Sequence, residues 1–297
     1  MNSILKKLFI CIGIVFTSGG MLNAQDWTSL PDTAPSAKVF SNATFKTTRL
    51  INTQTVSTLG KRTLDFRISH RFAPVNNGSY NAWGLDGPAT IRLSLEYSYD
   101  GRLMAGIGRS SLEKMWDGFL KYRLYRQTDD NMHPLSVTLF SGAYYTSQDD
   151  PNKASRGFDK YEFVSSRMSY AYEIIAGRKF SSKFSFQVAP FFVHYNLAET
   201  FTDKNDIYGV SGAFRYKFSK RSAITAEYSY RVNRNTQTMY YDSMGIGYEV
   251  ETGGHVFQIH FTNSDGMVEN QFFAHTRDKW SNAGIRLGFN ISRVFTL

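Results

Sequence analysis

Ile91-Arg92-Leu93-Ser94-Leu95-Glu96-Tyr97-Ser98-Tyr99 decides the fold. Apolar side chains fill every odd position and polar ones every even position. Side chains of an extended strand point alternately to opposite faces, so a strict period of two builds one oily and one wet face. Working outward, the pattern recurs in twelve segments, at about 63–72, 89–99, 103–110, 116–126, 135–146, 163–180, 184–197, 207–218, 222–232, 243–251, 255–262 and 281–295. Most match the roughly 9–11 residues of a tilted transmembrane strand.

The links between segments alternate in length. Asp100-Gly101-Arg102, Ser181-Ser182-Lys183, Ser219-Lys220-Arg221 and Gly253-Gly254 are tight turns,. Longer polar loops at 73–88, 147–162, 198–206, 233–242 and 263–280 fall between them. Outer-membrane barrels join short periplasmic turns to long external loops, and an even strand number returns both chain ends to the short-turn side. Of the prolines, only Pro190 interrupts a strand, where a bulge is expected,.

Alternation alone does not say which face is outside. A lipocalin-like soluble barrel turns its oily face inward and a membrane barrel turns it outward. The membrane reading rests on three features. The wet face mixes charges with small and aromatic residues, such as Gly106, Gly108, Phe140 and Gly142, as an enclosed lumen requires. The oily face carries Tyr97, Tyr99, Phe180, Phe184, Tyr216 and Phe218 near the short turns, where an interfacial girdle would lie,. The chain ends in an amphipathic strand with Phe295 two residues from its C-terminus, similar to the signal read by the outer-membrane assembly machinery.

The ends and the composition agree with export. Lys6 and Lys7 precede an apolar stretch from Leu8 to Phe16, and Leu22-Asn23-Ala24 offers a cleavage site, so residues 1–24 read as a cleaved signal peptide,. That stretch is too short for a transmembrane helix, and no later segment resembles one. A chain that spans the membrane without helices must close into a barrel, which leaves no backbone unpaired in lipid. Cys11 is the only cysteine, so the mature chain has no disulfide, thiolate metal site or cysteine nucleophile,. The formal net charge of +9 is spread over strands and loops without a basic run, which argues against nucleic acid as a partner,. Residues 25–62 form a periplasmic or plug-like segment ahead of the barrel domain at 63–297. Its Thr-rich part, 45–59, leaves a short hairpin, a helical turn and a plug open.

Ser69-His70-Arg71-Phe72, Gly84-Leu85-Asp86, Gly108-Arg109-Ser110, Lys121-Tyr122-Arg123, Gly253-Gly254-His255 and Ser292-Arg293-Val294-Phe295 resemble a family of bacterial outer-membrane β-barrel proteins classed as a domain of unknown function. The resemblance runs from about Ala43 to Leu297. It implies the all-β transmembrane antiparallel barrel and an outer-membrane location, with outer-membrane lipid and the assembly machinery as partners. It brings no activity and no functional residue.

The wet face carries the functional clue. Its candidate lumen-lining residues are Arg67, Arg71, Arg92, Glu96, Lys121, Arg123, Glu173, Arg215, Lys217, Glu227, Arg231 and Arg286. With Lys179, Asp65, Glu249 and Glu251 added, ten basic residues face six acidic ones. A positive lumen favours anions, so the sequence predicts a narrow or gated channel for small, anion-preferring solutes. The same charges can instead form an internal ion-pair lattice that seals a structural or partner-binding barrel. A membrane-embedded hydrolase is the third reading. His260, Thr262 and Asn263 share a neighbourhood but lack the serine that a triad needs, so no enzyme is predicted,. The histidines show no metal-ligand spacing, and neither a metal nor a cofactor is expected.

Overall fold

The computed structural model describes residues 40, 44–200, 203–233 and 239–297, and the signal segment at 1–24 lies outside them. Twelve strands follow one another around a closed antiparallel barrel. They are β1 (Thr63–Pro74), β2 (Thr90–Ser98), β3 (Leu103–Ser110), β4 (Met115–Tyr125), β5 (Ser136–Thr146), β6 (Met168–Lys179), β7 (Phe184–Tyr195), β8 (Asp206–Lys217), β9 (Ser222–Arg231), β10 (Ser243–Thr252), β11 (His255–Thr262) and β12 (Arg286–Thr296). Each pairs with its sequence neighbours, and β1 pairs with β12 to close the ring, with Ile68 opposite Ile291.

The period of two fixes the faces. In β2, Leu93 and Leu95 stay 45% and 46% exposed, while Arg92, Ser94 and Glu96 are buried in the bore. The oily face is therefore outward, and the barrel wall is turned to a hydrocarbon solvent. No described helix is long and apolar enough to cross a membrane. Aromatic pairs on the outer face gather near the short turns, with Phe180 and Phe184 ring centroids 5.9 Å apart and Phe218 and Tyr248 also 5.9 Å apart. Their amphipathic or bulky rings suit the level where lipid meets water.

Two strands start later than their sequence pattern suggests. β6 begins at Met168 because Val164–Arg167 form a turn of 3-10 helix. β12 begins at Arg286 because Trp280–Asn282 form another, closed by Ala283 at φ 53°. At Pro190 the ladder has a gap in place of a bulge. Pairing of β6 with β7 runs to Glu173 opposite Phe191 and resumes at Ala176 opposite Val188.

The larger departure concerns the loop after β11. Residues 263–280 read as an external polar loop, but the chain folds back into the barrel. There it forms a short helix, after the small surface helix α1 (Lys153–Arg156), named α2 (Glu269–Ala274). Every residue of α2 is buried. The cause is Phe272 and Phe273, which find apolar cover on Met115, Phe191, Val193 and Ile207 from the inner wall. Phe273 stacks on Phe191 with ring centroids 3.8 Å apart. Burying each such ring is worth about 1.5–3 kcal/mol, which offsets part of the entropy lost when the loop is ordered.

Candidate functional site: a bore filled by its own chain

Residues 44–59, from the segment ahead of β1, lie inside the barrel. Arg49 bridges to Gln54 across a tight hairpin, with Leu50 N–H donating to Thr53 O at 3.0 Å and Thr55 N–H to Thr48 O at 2.8 Å. Of the forms the Thr-rich stretch left open, the structure has the hairpin, and it serves as an inner plug. Two apolar anchors, Phe45 and Val56, join Leu50 in a cluster with Met104, Phe119, Phe140 and Ile175 of the wall. Leu59 packs against the same cluster, and the tip and flanks of the hairpin are held mainly by polar contacts.

The hairpin tip is clamped between opposite charges. The backbone N–H groups of Ile51, Asn52 and Thr53 all donate to the Glu227 carboxylate, at 3.2, 2.9 and 3.1 Å. The Thr53 hydroxyl adds a fourth donor at 2.9 Å. Successive N–H groups converging on one anion form a nest. On the opposite side, Arg71 donates to Ile51 O at 3.0 Å and to Asn52 Oδ1 at 2.9 Å. Asn290 donates to the same Ile51 carbonyl at 3.0 Å. The tip's peptide dipoles thus run from the carboxylate of β9 to the guanidinium of β1, and backbone groups that would otherwise be buried without partners are satisfied.

Along its flanks the plug is held by side chains from further strands. Lys121 donates to Thr48 O at 3.1 Å and to Gln54 Oε1 at 3.3 Å. The Gln187 amide donates to Gln54 O at 2.6 Å and accepts from Val56 N–H at 3.0 Å. The Thr48 hydroxyl donates to Glu96 at 2.7 Å and accepts from Arg67 at 2.8 Å. Arg49 is the plug's own buried charge. It pairs with Glu269 of α2 at 2.7 Å and lies 3.9 Å from Glu96.

The other candidate lumen residues divide by height. Arg92 forms a two-pronged pair with Asp117 at 2.9 and 2.5 Å. Arg67 pairs with Asp65 at 3.0 Å, and Arg215 with Glu249 and Glu251 at 2.8 and 2.5 Å. Glu173 is buried, and its carboxylate oxygens accept no hydrogen bond from the described residues. Arg231, at the long-loop end of β9, donates to Ala274 O at 2.8 Å and so holds the end of α2. Arg123 and Lys217 sit half-buried at the short-turn mouth, where Arg123 donates to Gly101 O at 2.8 Å. Arg286 is at the opposite mouth, paired with Asp278.

The count of ten basic to six acidic residues does not describe the buried interior. The strands bury Arg67, Arg71, Arg92, Lys121, Arg215 and Arg231 against Asp65, Glu96, Asp117, Glu173, Glu227 and Glu249, six of each sign. The surplus lies at the mouths. Asp117 was missed because its face also carries Met115 and Phe119, which blur the alternation of β4. Arg49 and Glu269 were missed because neither belongs to a strand. The histidine of the weak triad candidate is placed by its neighbours in the bore. His260 points into the bore, where a side chain on Gly288 would meet both it and Arg71, and its ring nitrogens have no hydrogen-bond partner among the described residues.

Space remains at both ends of the filler. A cavity of about 740 Å³ opens beneath the plug at the short-turn mouth, lined by Lys46, Lys61, Arg123, Arg126, Asp65 and Asp100 among others. At the long-loop end, a cleft of about 120 Å³ beside α2 is lined by Glu113, Tyr195, Asn270, His275 and Arg277 among others. No group of histidine and acidic residues arranged for a metal ion occurs among the described residues.

A family model described as a membrane bound beta barrel domain, DUF5777, matches residues 45–295, so the match takes in the plug as well as the strands. Among solved structures, the chain is similar to the NanC porin, with 10% identity over 79% of this chain and 99% of that one and a TM-score of 0.48. The KdgM porin gives 11% identity over 78% and 99%, with a TM-score of 0.46. Outer membrane phospholipase A from Escherichia coli gives 12% identity over 77% and 89%, with a TM-score of 0.44. No curated protein matches the chain.

Proposed function

The chain belongs to the membrane bound β-barrel domain family, and on that premise we propose that it is a plug-gated channel for small solutes in the bacterial outer membrane. The observation that carries the reading is the chemistry of the plug interface. The hairpin tip is held in the bore by hydrogen bonds from its backbone to Glu227, Arg71 and Asn290. Water can take over each of these bonds once the plug moves, at a net cost of about 0.5–1.5 kcal/mol for a neutral hydrogen bond and about 1.5–3 kcal/mol for one to a charged group. A filler evolved only to seal a wall would be expected to present an apolar face to an apolar bore. Apart from the apolar cluster around Phe45, Leu50 and Val56, this one meets the wall at its tip and flanks through hydrogen bonds and ion pairs, which suits an element that leaves and returns.

Anion preference belongs to the mouths in this reading. With buried strand charges balanced, the field along the bore is close to neutral, and Arg123 and Lys217 bias the periplasmic entrance,.

Conductance of the purified barrel in a planar bilayer tests the proposal. The intact protein is expected to be mostly closed with brief openings, and a variant lacking residues 44–59 to conduct steadily. If the plug-free barrel inserts and does not conduct, the channel reading fails and the closed, partner-binding barrel takes its place.

A further inference from the structure

Two separate pieces of chain close this bore, and they meet at one side chain. The plug enters from the short-turn end and α2 folds in from the long-loop end. Glu269, the first residue of α2, has no solvent exposure. One carboxylate oxygen accepts from Arg49 at 2.7 Å and from Gln54 at 3.1 Å, both on the plug. The other accepts from the Tyr144 hydroxyl of β5 at 2.6 Å. Arg49 in turn has one other carboxylate near it, Glu96 at 3.9 Å.

We propose that α2 and the plug are a single coupled gate with the Glu269–Arg49 pair as its latch, so that displacement of α2 at the outer surface releases the plug. The inference rests on the channel reading and names how that channel is controlled. When α2 leaves, Glu269 leaves with it, and Arg49 exchanges its carboxylate partner for water. The plug then loses the ion pair and the Gln54 bond together. In the reverse direction, departure of the plug leaves Glu269 with only the Tyr144 hydroxyl, which weakens α2. Coupling of this kind is reciprocal, because each closure contributes to the other's free energy. A pair with one member removed costs more than the absent pair, since the remaining charge stays in a poorly hydrated site.

The geometry gives an outer stimulus a point of action. The cleft of about 120 Å³ beside α2 is lined by Asn270, in the first turn of that helix, and His275, which follows its last residue. Anything that widens this cleft pulls on α2 and, through Glu269, on the hairpin deep in the bore.

Cys11 is the chain's single cysteine, so in a Cys11→Ser background an introduced thiol reports alone. Thr55→Cys places one in the plug at a position with no solvent exposure. In the purified full-length barrel, its reaction with a membrane-impermeant maleimide is expected to be slow. Adding Glu269→Gln or Arg49→Gln should speed labelling at least tenfold, and combining the two should speed it no further. Phe273→Ala, which loosens α2 without touching the latch, should speed labelling as well. Retained heat-modifiable gel migration shows that each variant is folded. Labelling at the parent rate in Glu269→Gln, multiplicative effects in the double variant, or a Phe273→Ala plug that stays protected would each overturn the latch. If Glu269→Gln does not fold, Phe273→Ala alone decides. Labelling needs no conduction, so a coupled plug in a non-conducting barrel would refute the channel and leave the latch standing, whereas a conducting barrel with an uncoupled plug would do the reverse.

Discussion

At the scale of the single residue, Glu227 shows how one wall position can hold a loop. Its carboxylate collects three consecutive backbone N–H groups and one hydroxyl from the hairpin tip. Glu227→Ala is expected to leave those N–H groups buried without an acceptor, at ~1–3 kcal/mol each until the tip shifts. Hydrogen exchange at the amides of residues 51–53 should therefore quicken by orders of magnitude, while amides in mid-barrel strands keep their protection. Unchanged exchange at the tip would show that the nest contributes nothing. The two faces of β2 make a second residue-scale test. Leu95→Arg places a guanidinium in lipid, at about 2–4 kcal/mol near mid-bilayer. Ser94→Arg avoids lipid but enters a bore already filled, because Ser94 is 3% exposed. Both should lower the yield of heat-resistant barrel, and deletion of residues 44–59 should rescue only Ser94→Arg, since overpacking is relieved when its neighbour is gone. Rescue of neither would mean that the bore has no room to give.

At the scale of the element, α2 is a cap held by apolar rings, and its C-terminal neighbour His275 makes that cap sensitive to acid. His275 is flanked by Tyr195 and Tyr240, with ring centroids 4.7 and 4.8 Å from its own. Burial lowers its pKa below the usual histidine value, with Arg277 and Arg231 adding to the effect and Glu113 and Glu199 opposing it. The closed state thus binds the proton more weakly than the opened loop does. Its stability is fully present above the free histidine value of about 6.5 and falls as pH drops through it. Each pH unit below that point costs up to about 1.4 kcal/mol until the closed-state value is reached. The protection factors of the Phe272 and Phe273 amides, measured against the intrinsic exchange rate at each pH, are expected to fall from pH 7 to 5 in the native chain, and to do so much less in His275→Gln. The helix also marks where reading a sequence by period stops. Strands announce themselves because each turns one face to lipid along its whole length, which forces alternation on residues such as Ile91 to Tyr99. The six residues Glu269-Asn270-Gln271-Phe272-Phe273-Ala274 are too few to show a helical period. The plug has none at all, because Thr48, Asn52 and Gln54 each answer a different wall residue far away in sequence. Lumen positions such as Arg92 and Glu96 follow from parity, but their partners do not, since Arg92 meets Asp117 and Glu96 meets Thr48 only once the barrel is closed.

At the scale of the whole molecule, the barrel is a wall of balanced buried charge with a basic rim, and in the proposed channel this places any ion selectivity at the rim. The sequence count of ten basic against six acidic positions places Arg92 and Arg123 together in a positive bore. The closed structure separates them. Arg92 is locked to Asp117 inside the wall, each the third residue in from the long-loop end of its strand, so that pair presents almost no net field to a passing ion. Arg123 and Lys217 sit half-buried at the short-turn mouth, beside a cavity of about 740 Å³ that Arg123, Lys46 and Lys61 help to line. Fixed charge at an entrance framed by low-dielectric walls concentrates counter-ions most where it is not already paired. In the plug-free barrel, Arg123→Glu with Lys217→Glu is therefore expected to move the zero-current potential toward cations in an asymmetric salt gradient. Arg92→Glu sets two carboxylates against each other in the wall, and should lower the yield of folded barrel more than it changes selectivity in the molecules that insert. Raising the salt from about 0.1 to 1 M shortens the screening length from about 10 to 3 Å, so an effect seated at the rim should shrink with salt. A selectivity shift in Arg92→Glu that equals or exceeds that of the mouth variant, or one that persists undiminished at high salt, would return the selectivity filter to the middle of the bore.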